Sequence, residues 1–208
     1  MTAMLGALHV ITDVRGGRDA LGVVAAAVAA GAPVVQVRAK GRTDRAMYDF
    51  ACRVVEICAA GGAACVVNDR VDIALAAGAA GTHVGADDLP VAAVRRVAGP
   101  DHLVGGTARD PGRAAELAAE GADYVGVGPA YPTSTKSGLP EPLGPAGIGA
   151  VARAVEIPVI AIGGVDADRI PELRAAGAYG VAVVTAVSAA PDPAAATRAL
   201  LRALETRV

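Results

Sequence analysis

The chain has 208 residues, 53% of them hydrophobic but only 2% aromatic, and 19 Lys+Arg against 21 Asp+Glu leave a net charge of −2. That balance, with one Phe and no Trp, gives neither the basic footprint nor the stacking surface that a nucleic acid or an anionic membrane requires, so neither is expected as a partner. The length suits one domain with a sizeable core, and the Gly and Pro residues are spread along it rather than gathered into a disordered tract.

From Met1 to Asp13 there is no basic start and no long apolar stretch, so no secretory signal is expected. The first strand is expected at Leu8–Thr12. It is followed by Asp13-Val14-Arg15-Gly16-Gly17, which lacks the GxGxxG of a dinucleotide-binding turn. Mean hydropathy is +0.45, and the uncharged run from Ala20 to Val37 approaches the length of a membrane span. Gly31-Ala32-Pro33 breaks that run, which therefore reads as a helix over 19–30, a turn and a buried strand Pro33–Val37.

Further strands are expected at Ala64–Val67, Gly81–Val84, Leu103–Gly106, Tyr124–Val127, Val159–Ile162 and Gly180–Val184. Helices are expected near 44–60, 70–77, 91–98, 111–120, 145–155, 167–176 and 193–206. Asp110-Pro111 and Asp192-Pro193 set a capping residue before a first-turn proline. Gly31, Gly61, Gly78, Gly121 and Gly177 follow helical runs, where a left-handed residue ends a helix. Cys52, Cys58 and Cys65 lack CxxC spacing and read as buried thiols of a reducing cytoplasm, not as a metal site or disulfide framework.

Strands separated by helices run parallel through right-handed crossovers. Eight such units in this length predict an α/β fold, a minimal (β/α)8 TIM barrel forming a single domain over 1–208. The rival, an open doubly wound sheet, normally stops at five or six strands and carries the Gly-rich turn missing here.

Barrel chemistry gathers at the C-terminal ends of the strands. After strand 2, alternation puts Gln36, Arg38 and Lys40 on one face, where Arg offers a fork and Lys a point charge to an anion. After strands 3 and 4 come Asn68-Asp69 and Asp87-Asp88. Asp69 and Asp88 each fit as a helix cap, yet from neighbouring exits they also converge as Mg2+ prefers, two carboxylates completed by a polyanion's oxygens. His83 reads as a packed barrel histidine rather than a base. The longest loop runs from Gly128 to Pro142; Thr133, Ser134, Thr135 and Lys136 suit closure over a phosphate. Gly163-Gly164 and Val184-Thr185, after strands 7 and 8, offer backbone N–H groups to a phosphomonoester. No Ser or Cys nucleophile stands with a paired base, so covalent catalysis is not expected.

These residues together resemble the thiamine-phosphate synthase family over nearly the whole chain, from Leu8-His9-Val10-Ile11-Thr12-Asp13 to Val183-Val184-Thr185. The pieces that carry the resemblance are Gln36-Val37-Arg38-Ala39-Lys40, Asn68-Asp69-Arg70, His83 to Asp88, Gly121 to Pro129, Thr133 to Lys136 and Ala161-Ile162-Gly163-Gly164. The resemblance implies condensation of hydroxymethylpyrimidine diphosphate with a thiazole phosphate, or its carboxylated form, to thiamine phosphate and pyrophosphate. It implies that Gln36, Arg38, Lys40, Asn68, Thr107 and Lys136 bind the pyrimidine diphosphate, with Arg38, Lys40 and Lys136 assisting departure of pyrophosphate. It implies Mg2+ on Asp69 and Asp88. Thr133, Ser134, Thr135, Gly164, Val184 and Thr185 would then hold the thiazole phosphate. Ala39, Ala86, Thr107 and Arg109 depart from the residues the family usually carries there. A thiazole tautomerase on the same barrel and a non-catalytic phosphate-metabolite binder are the alternatives; homo-oligomerisation is left open.

Overall fold

The structure, a computed structural model, describes residues 5–133, 135, 138 and 140–206. Eight strands, β1 Leu8–Ile11, β2 Val34–Val37, β3 Ala64–Asn68, β4 Gly81–Val84, β5 Leu103–Ala108, β6 Tyr124–Val127, β7 Val159–Ile162 and β8 Gly180–Val183, form a closed barrel in chain order. All pairings are parallel, and β1 closes on β8 with Leu8 opposite Val181. The expected α/β TIM barrel is therefore the fold. Its strands are Val/Ile/Ala-rich because both faces are covered, one by the barrel interior and one by helices.

The helices are α1 Ala20–Ala29, α2 Asp44–Gly61, α3 Val71–Ala76, α4 Val91–Ala98, α5 Pro111–Ala119, α6 Gly144–Ala152, α7 Ile170–Ala175, α8 Thr185–Ser188 and α9 Pro193–Glu205. Asp110 and Asp192 cap α5 and α9 as expected, accepting the Arg113 and Ala195 N–H groups, each at 2.9 Å. Three features differ from the sequence reading. After α2 the left-handed residue is Gly62, φ 73, rather than Gly61, which still belongs to the helix. β5 runs two residues further than expected, so Thr107 is a strand residue paired with Gly126. The short α8 was not expected, since four residues are too few for a periodic pattern.

The run from Ala20 to Val37 is α1, a turn and β2, and among the described residues no helix is long and apolar enough to cross a membrane. Cys58 and Cys65 are buried, Cys52 is half-buried, and all three thiols are free.

Inside the barrel, Leu5, Ile11, Val34, Val66, Leu103, Tyr124, Ile160 and Ala182 pack together. One aromatic ring fits inside because the neighbouring strand gives way: Gly105 of β5 is paired with Tyr124, and a Cβ on it would fall 2.2 Å from Tyr124 Cζ.

Candidate active site

A cavity of about 820 Å3 occupies the C-terminal end of the barrel, lined from every strand exit. Its floor is a network of uncharged polar groups. His83 Nδ1 lies 3.1 Å from the Tyr124 hydroxyl, and His83 Nε2 lies 3.0 Å from Thr107 Oγ1. The two rings stack at 5.5 Å, and Gly126 leaves the space, since a Cβ there would meet His83 Cε1 at 3.1 Å. Gln36, buried on β2, lines the same cavity. His9 meets Tyr124 edge-on at 5.2 Å, and its Nε2 has no hydrogen-bond partner among the described residues. Burial pushes the His83 pKa down to about 4 and that of His9 to about 3, the latter with help from His83. Both imidazoles are neutral at physiological pH. The expectation that His83 is a packed barrel histidine holds, with the addition that it fixes Thr107.

The rim carries the charge. Thr12 Oγ1 accepts from the Arg38 N–H at 2.8 Å and donates to the Arg38 carbonyl at 3.1 Å, holding the exit of β2 against that of β1. Lys40 Nζ stands 3.1 Å from Asp69 Oδ2. Asp69 takes a left-handed backbone, φ 68, and its N–H donates to the His83 carbonyl at 2.8 Å. Asp88 Oδ2 accepts the Gly85 N–H at 2.8 Å. The Asp69 and Asp88 carboxyls are within hydrogen-bond reach of one another. Burial, then Asp88, raises the Asp69 pKa, and Lys40 opposes this. Burial resists ionisation of Asp88 too, but the bonds from Asp69 and Gly85 outweigh it and leave its pKa lowered. Of the two, Asp69 is therefore the carboxyl that takes up a proton first as pH falls.

The alternative that these two aspartates merely cap helices is excluded. The N-cap of α3 is Arg70 and that of α4 is Pro90, and neither cap makes a side-chain bond. Among the described residues no three His, Cys, Asp or Glu side chains form a closed metal cage. Two adjoining carboxylates opening into a cavity are the donor set of a hard cation that completes its shell with water and ligand oxygens.

Of the other expected site residues, Asn68 ends β3 opposite His83, and Thr133, Thr135, Gly164, Val184 and Thr185 line the cavity. Ser134 and Lys136 lie outside the described residues. Thr133 Oγ1 accepts the Thr135 N–H at 3.3 Å. Gly163 and Gly164 are both left-handed, φ 97 and 64; a Cβ on Gly164 would meet the Pro132 carbonyl at 2.5 Å. The pair is thus where the loop after β6 lies against the exit of β7, besides offering backbone to the cavity.

Sequence reasoning passed over three cavity-lining residues. Asp13 and Arg15, after β1, were given no role in a site: they stand in the stretch that lacks GxGxxG, and Asp13 also closes the first stretch of the resemblance. Arg109 entered it only as a departure from the family. In the fold its Nη1 donates to the Gly128 carbonyl at 3.1 Å and its Nη2 to the Glu141 carbonyl at 2.9 Å, so it ties the two ends of the long loop. The signal was available: a basic residue one position beyond a strand exit, beside the longest loop.

The chain matches the family described as thiamine monophosphate synthase over residues 8–187. It is 60% identical over 203 residues to a thiamine-phosphate synthase of Salinispora tropica, covering 96% of this chain and 98% of that one. A thiamine-phosphate synthase of Salinispora arenicola is 58% identical over the same length. Among solved structures it resembles thiamine phosphate pyrophosphorylase from Pyrococcus furiosus, with a TM-score of 0.87, 34% identity and 95% of each chain covered.

Proposed function

The chain belongs to the thiamine monophosphate synthase family and is a transferase of the thiamine-phosphate synthase kind; we propose that the cavity joins a hydroxymethylpyrimidine diphosphate to a thiazole phosphate by early loss of pyrophosphate. The observation that carries the reading is the convergence of Asp69 and Asp88 beside Lys40 at the rim, above a floor of neutral hydrogen-bonding groups.

Gln36, Asn68 and Thr107 bind and orient the pyrimidine ring, and neutral His83 fixes the Thr107 hydroxyl. Arg38, Lys40 and Lys136 hold the diphosphate and take up the negative charge that grows on it as the C–O bond breaks. Asp69 and Asp88 hold Mg2+, which when bound adds positive charge at the same diphosphate. Pyrophosphate leaves with the C–O electron pair, and the methylene carbon, left as an electron-poor cation, is then attacked by the thiazole nitrogen, whose lone pair forms the C–N bond. No proton has to move in that step, which suits a floor whose imidazoles are neutral and already hydrogen-bonded or buried. Thr133, Ser134, Thr135, Gly164, Val184 and Thr185 hold the phosphate of the thiazole, and the long loop keeps out water that would otherwise capture the cation.

The partners on this reading are small phosphorylated molecules, and the free thiols support a reducing cytoplasm. Nothing favours the tautomerase alternative: Arg109, at the position where that activity needs a proton carrier, is engaged with two carbonyls. The test mixes the purified protein with both substrates in Mg2+ or in EDTA. Thiamine phosphate and pyrophosphate appearing together, and only with Mg2+, support the whole reading; equal rates in EDTA remove the metal role, and no product removes the reaction.

A further inference from the structure

The groups that the reading above assigns to the thiazole phosphate are neutral hydroxyls and backbone. A phosphomonoester carries close to two negative charges at neutral pH, and in a partly enclosed cavity such charge asks for a cation. The structure places one there. Asp13, at the exit of β1, has a carboxylate only 1% exposed. Arg15 grips it in a fork, Nε to Oδ1 at 2.7 Å and Nη2 to Oδ2 at 3.0 Å, and Arg18 and the Ser188 hydroxyl also donate to it. Ser188 belongs to α8, the helix that begins at Thr185. From the same guanidinium, Nη1 donates to the Thr135 carbonyl at 2.8 Å. Arg15 thus stands against the loop after β6, while its partner Asp13 is tied to the last residue of α8, and Arg15 lines the same cavity as Gly164, Val184 and Thr185 while about half exposed.

A buried carboxylate bonded to two arginines carries a net positive cluster. Burying it is costly unless the geometry it fixes is used. Arg15 has five N–H groups; among the described residues three are accounted for by Asp13 and Thr135, which leaves two to meet an oxyanion. Bonding to Arg15 also holds the Asp13 carboxyl well below the usual carboxylate range, so the clamp is charged at every physiological pH.

We propose that Arg15, set in place by Asp13, is the cation that binds the phosphoryl group of the thiazole phosphate, with Asp13 as its positioning residue. The proposal rests on the synthase reading, and its consequence is specificity: the enzyme prefers a phosphorylated thiazole over the free alcohol mainly through Arg15.

The test measures calorimetric binding of thiazole phosphate and of the unphosphorylated thiazole alcohol, and the KM of both substrates, for wild type, Arg15→Gln and Arg15→Lys, with thermal melts to verify folding. Arg15→Gln is expected to weaken thiazole phosphate roughly 10- to 100-fold, as loss of a charged hydrogen bond does. Alcohol binding and the KM for pyrimidine diphosphate should stay within about twofold, and Arg15→Lys, which keeps the charge but not the fork, should fall between. Asp13→Asn should give the same selective loss in weaker form. The proposal is overturned if Arg15→Gln leaves thiazole phosphate binding within about threefold, if the alcohol weakens equally, or if both substrates lose affinity alike, which would make Arg15 a loop support only. Should Arg15→Gln not fold, the Arg15→Lys comparison decides by the same criteria. A wild type that binds thiazole phosphate selectively but releases no pyrophosphate would sink the synthase reading and leave the role of Arg15 standing.

Discussion

Lys40 Nζ lies 3.1 Å from Asp69 Oδ2, so a cation proposed to hold the diphosphate and a carboxylate proposed to hold Mg2+ are paired with one another at the rim. A diphosphate with Mg2+ offers each a better partner, Lys40 an oxyanion and Asp69 a divalent ion. Asp69→Asn therefore separates charge from shape, and Asn also tolerates the left-handed backbone at this position. Pyrophosphate release should fall at least about 100-fold and lose its stimulation by added Mg2+; a Mg2+ titration of the variant measures both.

The same substitution should raise thermal stability in EDTA. The pKa of Asp69 is higher in the fold than in the unfolded chain, mainly through burial and then Asp88. Its favourable contribution is therefore present in acid and lost as pH rises through the folded pKa, and at neutral pH its ionised form disfavours folding. Removing the charge should lift Tm at pH 7.5 by roughly 1–3 °C in a chain of this size. A melt that instead falls would show that the Lys40 bridge outweighs the repulsion.

Arg109→Ala should loosen the long loop at both ends, since one guanidinium holds the carbonyls of Gly128 and Glu141. KM values for both substrates should rise several-fold together, with a smaller change in Tm, because the side chain touches loop backbone rather than the core. This shared loss contrasts with the selective loss expected at Arg15.

Gly105→Ala tests the packing that divides floor from core. The added methyl would overlap Tyr124 Cζ at 2.2 Å, and the ring has His9 on one side and His83 on the other. Overpacking of this kind costs about 1–3 kcal/mol or more. Denaturant unfolding should show that loss, and Tyr124→Leu on the same background should recover part of it.

The barrel was legible because its signals are local and repeated: Val-rich runs every 17 to 35 residues, Asp-Pro caps, and glycines that end helices. The charged rim was legible for the same reason, since Gln36 lies in β2 and Arg38, Lys40, Asp69 and Asp88 each follow the end of a strand within four residues. What escaped was long-range. No pattern along the chain ties Asp13 to Ser188, 175 positions apart, or Arg109 to Glu141. Asp123 belongs to a stretch that carries the family resemblance, but it does structural work. Its Oδ2 accepts the Val104 N–H at 2.7 Å and Arg95 Nη2 at 2.6 Å, clasping β5 to β6 away from the cavity. A motif shared for packing and one shared for chemistry look alike until the side chains are placed.

The two neutral histidines of the floor set the acid limit of the fold. His83 and His9 have pKa values lowered from 6.5 to about 4 and about 3, in both cases chiefly by burial. A lowered pKa means the unfolded chain binds the proton more readily. Their contribution is therefore complete above pH 6.5 and drains away as pH falls through 6 towards 4. By pH 4.5 each should have lost roughly 2–3 kcal/mol, so urea midpoints should fall steeply between pH 6.5 and 4.5 with a slope approaching two protons. His9→Phe keeps an aromatic edge against Tyr124 and removes one of the two protons, so its slope should be about half that of wild type. An unchanged slope would mean that His9 already carries a proton in the folded barrel, against the burial of its ring beside Tyr124.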